Sequence, residues 1–238
     1  MMTIIVAAIG GSLLRPEVEQ KHVWLSQLIS IIRDRVSAGD RLGLVIGGGA
    51  PAREGISLAK PLINDDYHLD KIGIAATRLN ATIIREAFTE AGISDSGNIP
   101  SSANEAVQLL EERPVVVMGG TEPGHTTDAV ATRLAIAVKA NKCIIATNVE
   151  KVFNEDPRYN PNAKSFDNLT HEELQEIVGP AEHKEAGKSS VVDPIAVLEA
   201  TMANLELNII DGREIERFNN AILGLDFEGT KISSEEEK

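Results

Sequence analysis

Residues 114–131 read PVVVMGGTEPGHTTDAVA, and this stretch decides the fold. Positions 114–118 are apolar without alternation, the pattern of a strand covered on both faces. Gly119-Gly120 ends the run, and a helical pattern takes over at 128–140. Strand, glycine turn and helix together form the repeating unit of a parallel sheet wound on both faces. The unit appears twice upstream. A strand at 3–9 closes on Gly10-Gly11 before a helix at about 18–36, and a strand at 42–46 closes on Gly47-Gly48-Gly49 before a helix at 51–59.

The rest of the chain continues the alternation. After a polar loop at 62–69, a helix runs over 70–91, where Ile72, Ala76, Leu79, Ile83 and Ala87 recur at the spacing of a buried stripe. A turn-rich stretch at 95–102 precedes a helix at 104–112. A fourth strand is expected at 143–147, an irregular region at 150–165, helices at 170–178 and 194–204, a strand at 206–210 and a last helix at 213–223. The tail 233–238 reads as a solvated end, and a weak boundary falls near residue 145. The expected architecture is α/β, an αβα sandwich around a mostly parallel sheet.

Composition narrows the function. The 238 residues are 42% hydrophobic and 25% charged, an ordinary globular balance. Lys and Arg number 23 against 36 Asp and Glu, a net charge of −13 that argues against nucleic acid and anionic membrane partners. Aromatics at 3% leave little for stacking bases of single strands. Cys143 is the only cysteine, so neither an internal disulfide nor a cysteine zinc site is expected. The apolar start lacks the basic flank of a signal peptide, and no run approaches the ~20 residues of a membrane span. A cytoplasmic location is expected.

Ligands of doubly wound sheets bind at the carboxyl ends of the strands. Three glycine clusters fall there. Glycine lets backbone N–H groups approach phosphate oxygens, and helix N-termini add favourable partial charge. None fits GxxxxGK[ST] or a clean GxGxxG, which argues against a P-loop kinase or a dinucleotide dehydrogenase. Within the loop at 119–128, Thr121, Thr126 and Thr127 suit phosphate or base contacts. Asp128 either caps the following helix or has a functional role, and His125 is a base, a ligand or a loop contact.

The motifs IGGSLL at 9–14, GGGAPARE at 47–54, GGTEPGHTTDAVA at 119–131 and TNVEKVFNEDP at 147–157 together resemble the amino acid kinase superfamily. Within it, the resemblance is to the archaeal-type uridylate kinases, and it extends to GKSSVVDP at 187–194 and EGTKI at 228–232. It implies a single domain over 1–238, with a nucleoside-monophosphate half at about 1–145 and an ATP half at about 146–238. It also implies transfer of phosphate from ATP with Mg²⁺ to UMP, and a homohexamer built from dimers. No side chain is designated as a metal ligand.

The resemblance assigns ATP to Ala8, Ile9, Gly10, Gly11, Ser12, Gly49, Arg53, Thr147, Asn148, Phe153 and Asp156. It assigns UMP to Gly48, Asp70, Thr121, Glu122, Pro123, Gly124, His125, Thr126 and Thr127. Arg53 and Asp193 match catalytic positions, Arg53 as a permanent cation over transferring phosphates. Each has a plainer alternative: Asp70 and Asp193 as helix caps, Arg53 as a surface residue, Phe153 as a core aromatic. Ala8 stands where many superfamily members carry a phosphate-reaching lysine, which leaves Arg53 and Lys188 to offset charge. Glu150-Lys151 replaces the usual Asp-Gly, a change that strains the turn if the glycine has positive φ. Two other readings stay open: a related kinase acting on carbamate, acetylglutamate or isopentenyl phosphate, and a non-catalytic nucleotide- or oxyanion-binding oligomer.

Overall fold

A computed structural model describes residues 3–14, 21–182 and 191–234. The GKSS segment at 187–190, with Lys188, and the tail beyond 234 lie outside the described residues. The apolar runs become strands β1 (Ile4–Ile9), β2 (Arg41–Ile46), β3 (Val115–Met118), β4 (Lys142–Thr147) and β8 (Glu206–Asp211). They lie side by side in the order β3-β2-β1-β4-β8, all parallel. Two short strands extend that edge: β9 (Gly229–Ser233), antiparallel to β8, and β7 (Asn168–Thr170), parallel to β9. Sequence reading expected neither. Inside the stretch expected to be irregular, β5 (Val152–Phe153) pairs with β6 (Ser165–Phe166), which lies just after it.

Helices cover both faces. Alternate strand residues feed two cores, as the period of two requires. On one face Val6, Ala8, Val45, Val116, Cys143, Ile145 and Leu207 pack under α4 (Ala103–Glu112), α5 (Thr127–Ala137) and α7 (Pro194–Ala203). On the other, Ile5, Ala7, Leu44, Val117, Ile144 and Ile210 pack under α1 (Lys21–Ser37), α3 (Asp66–Glu90) and α8 (Ile215–Leu223). Trp24 of α1 donates its indole N–H to the Gly212 carbonyl at 2.6 Å, a buried link between distant parts of the chain. Arg133 of α5 grips Glu199 of α7 through its Nε and Nη2, with distances of 2.6–2.9 Å. The remaining helices are α2 (Gly49–Ala59), which lies against α3, and α6 (His171–Val178), closed at its start by a reciprocal Thr170–Glu173 capping box.

α3 departs from expectation in two ways. It starts at Asp66, with Asp65 as the cap accepting from the Tyr67 N–H, so Asp70 is inside the helix and caps nothing. Its buried face is also not the expected stripe. Leu69, Ala76, Thr77, Asn80, Ala81, Ile84 and Phe88 are buried, whereas Leu79 and Ile83 are 52% and 42% exposed. The inward face carries two polar residues, so a stripe chosen by apolarity alone goes to the wrong side of the helix.

Candidate active site

The carboxyl ends of β1, β2 and β4 meet through backbone. Gly10 N–H donates to the Ala146 carbonyl at 2.8 Å, and Gly47 N–H to the Ile9 carbonyl at 2.8 Å. The turns after β1 and β2 are in direct contact. A Cβ on Gly11 would lie 2.4 Å from both the Gly47 oxygen and the Gly49 nitrogen. Glycine is required there because no side chain fits between two backbones. Gly49 has φ +58° and opens α2, whose cap residue Gly48 makes no side-chain capping bond. Among the described residues no side chain caps the first amides of α2, which form the helix's positive end. Ser12 follows in the first turn, Ala8 and Ile9 are buried within β1, and Arg53 is exposed on α2.

The third glycine turn is held by side chains of α3. Gly120 N–H donates to the Thr77 hydroxyl at 2.7 Å, and Gly124 N–H to Asp70 Oδ2 at 2.7 Å. Gly124 adopts φ +84°, which turns the loop of Thr121, Glu122, Pro123 and Gly124 back toward α5. His125 sits 3.9 Å from Glu122 within that loop. Thr126, not Asp128, caps α5 by accepting from the Ala129 N–H at 3.3 Å. The Thr126 hydroxyl also donates to Asp193, which caps α7 through the Ile195 N–H at 2.8 Å. Asp193 is thus a cap, as one reading expected, and also a bridge between the acceptor-side loop and α7.

Asp128, in the first turn of α5, lies beside that bridge. Burial, followed by the charge of Asp193, pushes its carboxyl up from the ordinary 3.8 to about 7, although the Asp193 backbone amide pulls the other way. Burial, with the Asp128 charge adding to it, also raises the Cys143 thiol far above its ordinary value, so Cys143 is a core residue and not a nucleophile.

The segment after β4 is looser. The Thr147 carbonyl accepts from Gly212 N–H at 2.8 Å, and Asn148 is exposed. Phe153 is half-buried in β5. Asp156 is held below the usual carboxylate range by Arg158, whose guanidinium bonds both of its oxygens at 2.7–3.1 Å. Among the described residues, no hydrogen bond ties Phe153 or Asp156 to the glycine turns, in contrast to the residues of the third loop. Lys151 has no positive φ, and its ammonium reaches Asp167 at 2.5 Å. The turn accepts lysine without strain. Sequence reading missed Thr77 and Asn80 as parts of the site. The only available signal was polarity on the inward face of a long helix.

The chain belongs to the amino acid kinase family, whose model matches residues 3–211. Among characterised relatives, a uridylate kinase of Methanococcus maripaludis is 36% identical over 208 residues, covering 87% of this chain and 90% of that protein. A uridylate kinase of Methanospirillum hungatei is 36% identical over 232 residues, 98% of this chain and 95% of that one. The crystal structure of uridylate kinase from Archaeoglobus fulgidus superposes with a TM-score of 0.80 at 35% identity, covering 98% of this chain and 100% of that chain.

Proposed function

We propose that the chain transfers the γ-phosphoryl group of ATP to UMP, giving UDP and ADP. A UMP phosphate oxygen bonds to the γ-phosphorus as the bond to the β–γ bridging oxygen breaks, and the charge released stays on ADP. The observation that carries this reading is the direct contact of the β1 and β2 glycine turns at the start of α2, with the third glycine turn tied to the same helix α3 that holds the β2 turn. Such a site works by holding the reactants in line and stabilising charge, which requires fixed amides more than an acid or base.

In this reading the turns at Gly10–Ser12 and Gly49, with Arg53, hold the ATP phosphates, and Thr147, Asn148, Phe153 and Asp156 border the nucleoside. On the same reading Asp70, Gly48 and the loop 121–127 hold UMP, with Asp70 accepting from the ribose hydroxyls. Asp193 would fix Thr126, and through it the loop. The proposed UMP residues all fall within 1–145, whereas the proposed ATP residues divide between the β1 and β2 turns of that half and residues 147–156 of the half at about 146–238. Among the described residues, no cluster of three or more His, Cys, Asp or Glu could hold a metal ion alone. Mg²⁺ keeps much of its water and is bound largely through substrate phosphates, and the Ser12 hydroxyl beside the phosphate turns is a hard oxygen of the kind it accepts. When bound, Mg²⁺ neutralises charge developing on the phosphates. Exposed Leu79 and Ile83 on α3 support self-association, in keeping with a homohexamer.

A coupled assay with ATP against UMP, CMP, AMP and acetylglutamate tests the reaction. Turnover is expected with UMP. Intact ATP binding without turnover of any acceptor would overturn the enzyme reading in favour of a nucleotide-binding oligomer. Asp70→Asn should raise the KM for UMP about tenfold or more, the scale of a hydrogen bond to a charged group, and leave that for ATP nearly unchanged. Equal loss for both would remove Asp70 from the acceptor side.

A further inference from the structure

α3 carries three side chains that reach the glycine turns: Asp70, Thr77 and Asn80. Their spacings of seven and three residues place them along one side of the helix. Asp70 already has a place in the proposed acceptor site. The other two have no proposed substrate contact of their own: Asn80 holds Gly48, a proposed UMP position, next to Gly49 of the ATP side, and Thr77 holds Gly120, just before the acceptor loop.

Asn80 is fully buried. Its Nδ2 donates to the Gly47 carbonyl at 2.8 Å and to the Gly48 carbonyl at 3.0 Å, so the two N–H groups of one amide meet two successive peptide oxygens. A trans peptide is planar, and its N–H points opposite its C=O. Fixing those carbonyls toward α3 therefore turns the amides of Gly48 and Gly49 away from it, toward the Gly10-Gly11 turn. The Gly49 nitrogen lies beside the Gly10-Gly11 turn, where a Cβ on Gly11 would come within 2.4 Å of it and of the Gly47 oxygen alike. Since Gly48 is not capped by a side chain, the Asn80 amide is what fixes this turn from the α3 side. Thr77 acts similarly one turn of helix earlier. Its hydroxyl donates to the Ile74 carbonyl at 2.6 Å, which leaves a lone pair aimed at Gly120 N–H.

We infer that Asn80 and Thr77 are positioning residues for phosphoryl transfer, Asn80 aiming the α2 amides at the transferring phosphate and Thr77 setting the acceptor-side loop. A single rigid helix thus sets the distance between donor and acceptor turns. The inference rests on reading those turns as the phosphate and UMP sites. The stability role of a buried amide could be met by any satisfied side chain, whereas this role needs a donor directed at two particular oxygens.

The test uses the full chain with Asn80→Ala, Asn80→Asp and Thr77→Val, reading kcat, both KM values and calorimetric binding of a non-hydrolysable ATP analogue. Asn80→Ala should lower kcat about 100-fold, the scale of a 1 Å misplacement, and weaken the analogue about tenfold, with the KM for UMP, which Gly48 also borders, raised by a smaller factor. Thr77→Val should show the opposite split, with a KM for UMP raised about tenfold. Asn80→Asp supplies a readout that packing would not move. A carboxylate facing two carbonyls is repelled, but its protonated form donates again, so its activity relative to wild type should rise as pH falls from about 8 to about 6.

Wild-type kcat and analogue affinity in Asn80→Ala would overturn the inference. So would equal loss toward both substrates in proportion to lost thermal stability, with no relative pH response in Asn80→Asp. Absence of wild-type turnover would instead refute the proposed reaction. Analogue binding by Asn80→Ala would still judge the positioning role, with unchanged affinity counting against it.

Discussion

Asp128 offers the sharpest quantitative test of the site's electrostatics. Its carboxyl sits in the first turn of α5, where the helix dipole favours a negative charge by roughly 0.3–1 kcal/mol. Burial and Asp193 act the other way and win, raising its pKa from 3.8 to about 7. At about 1.4 kcal/mol per unit, that difference corresponds to about 4 kcal/mol. The sign follows from proton counts. Between the two values the folded chain keeps the Asp128 proton and the unfolded chain has lost it, so stability falls as pH rises through this window. The contribution is fully present below pH 3.8 and gone above about 7. Asp128→Asn keeps the shape and removes the titration. Urea unfolding of both proteins, free of nucleotide and metal and at equal concentration, is measured at several pH values from about 5 to about 8. The variant should gain on the wild type by about 1.4 kcal/mol per unit up to about pH 7, and the gap should then level off. Parallel stability profiles would refute the claim that Asp128 is held neutral in the folded chain.

Three further substitutions test the packing of the fold and the site. Asn208 on β8 is 1% exposed, and neither its amide nitrogen nor its amide oxygen finds a partner among the described residues, so Asn208→Val should stabilise the fold by about 1–3 kcal/mol in urea unfolding. A loss of stability would show that the amide is satisfied. Gly11→Ala drives a Cβ into two backbone atoms at 2.4 Å, whereas Gly10→Ala meets its first neighbour, the Ala146 oxygen, at 3.1 Å. The first should abolish ATP-analogue binding and lower the melting temperature by several degrees, and the second should be much milder; equal effects would refute the close approach of the β1 and β2 turns.

The central strands were legible because a parallel strand covered on both faces is apolar at every position, as in Val115–Met118. The added edge was not. Among Asn168, Leu169 and Thr170 only the leucine is buried, and such a short segment carries no pattern of its own. Glycines at the site were legible since close backbone contact admits no other residue. Capping was less so. Asp65, Asp66 and Asp70 are chemically alike, and only the point where the backbone leaves the helical region selects Asp65. Thr126 and Asp128 present the same ambiguity at α5. Thr77 and Asn80 were hidden for the opposite reason. Buried polar groups dilute an apolar stripe, so the residues that tie the helix to the site made its inner face look like its outer one.

The order of the sheet also has a consequence for how the chain is made. β1 lies between β2 and β4, so its second edge stays unpaired until translation has passed Thr147. At roughly 5–20 residues per second, the stretch from Met118 to Thr147 keeps that apolar edge open on the ribosome for a few seconds after β3 is complete. An unpaired strand edge is a template for a neighbouring nascent chain. The hazard in this protein's life is therefore greatest at birth, and a split made after β4 would yield a first fragment whose central strand is already flanked on both sides.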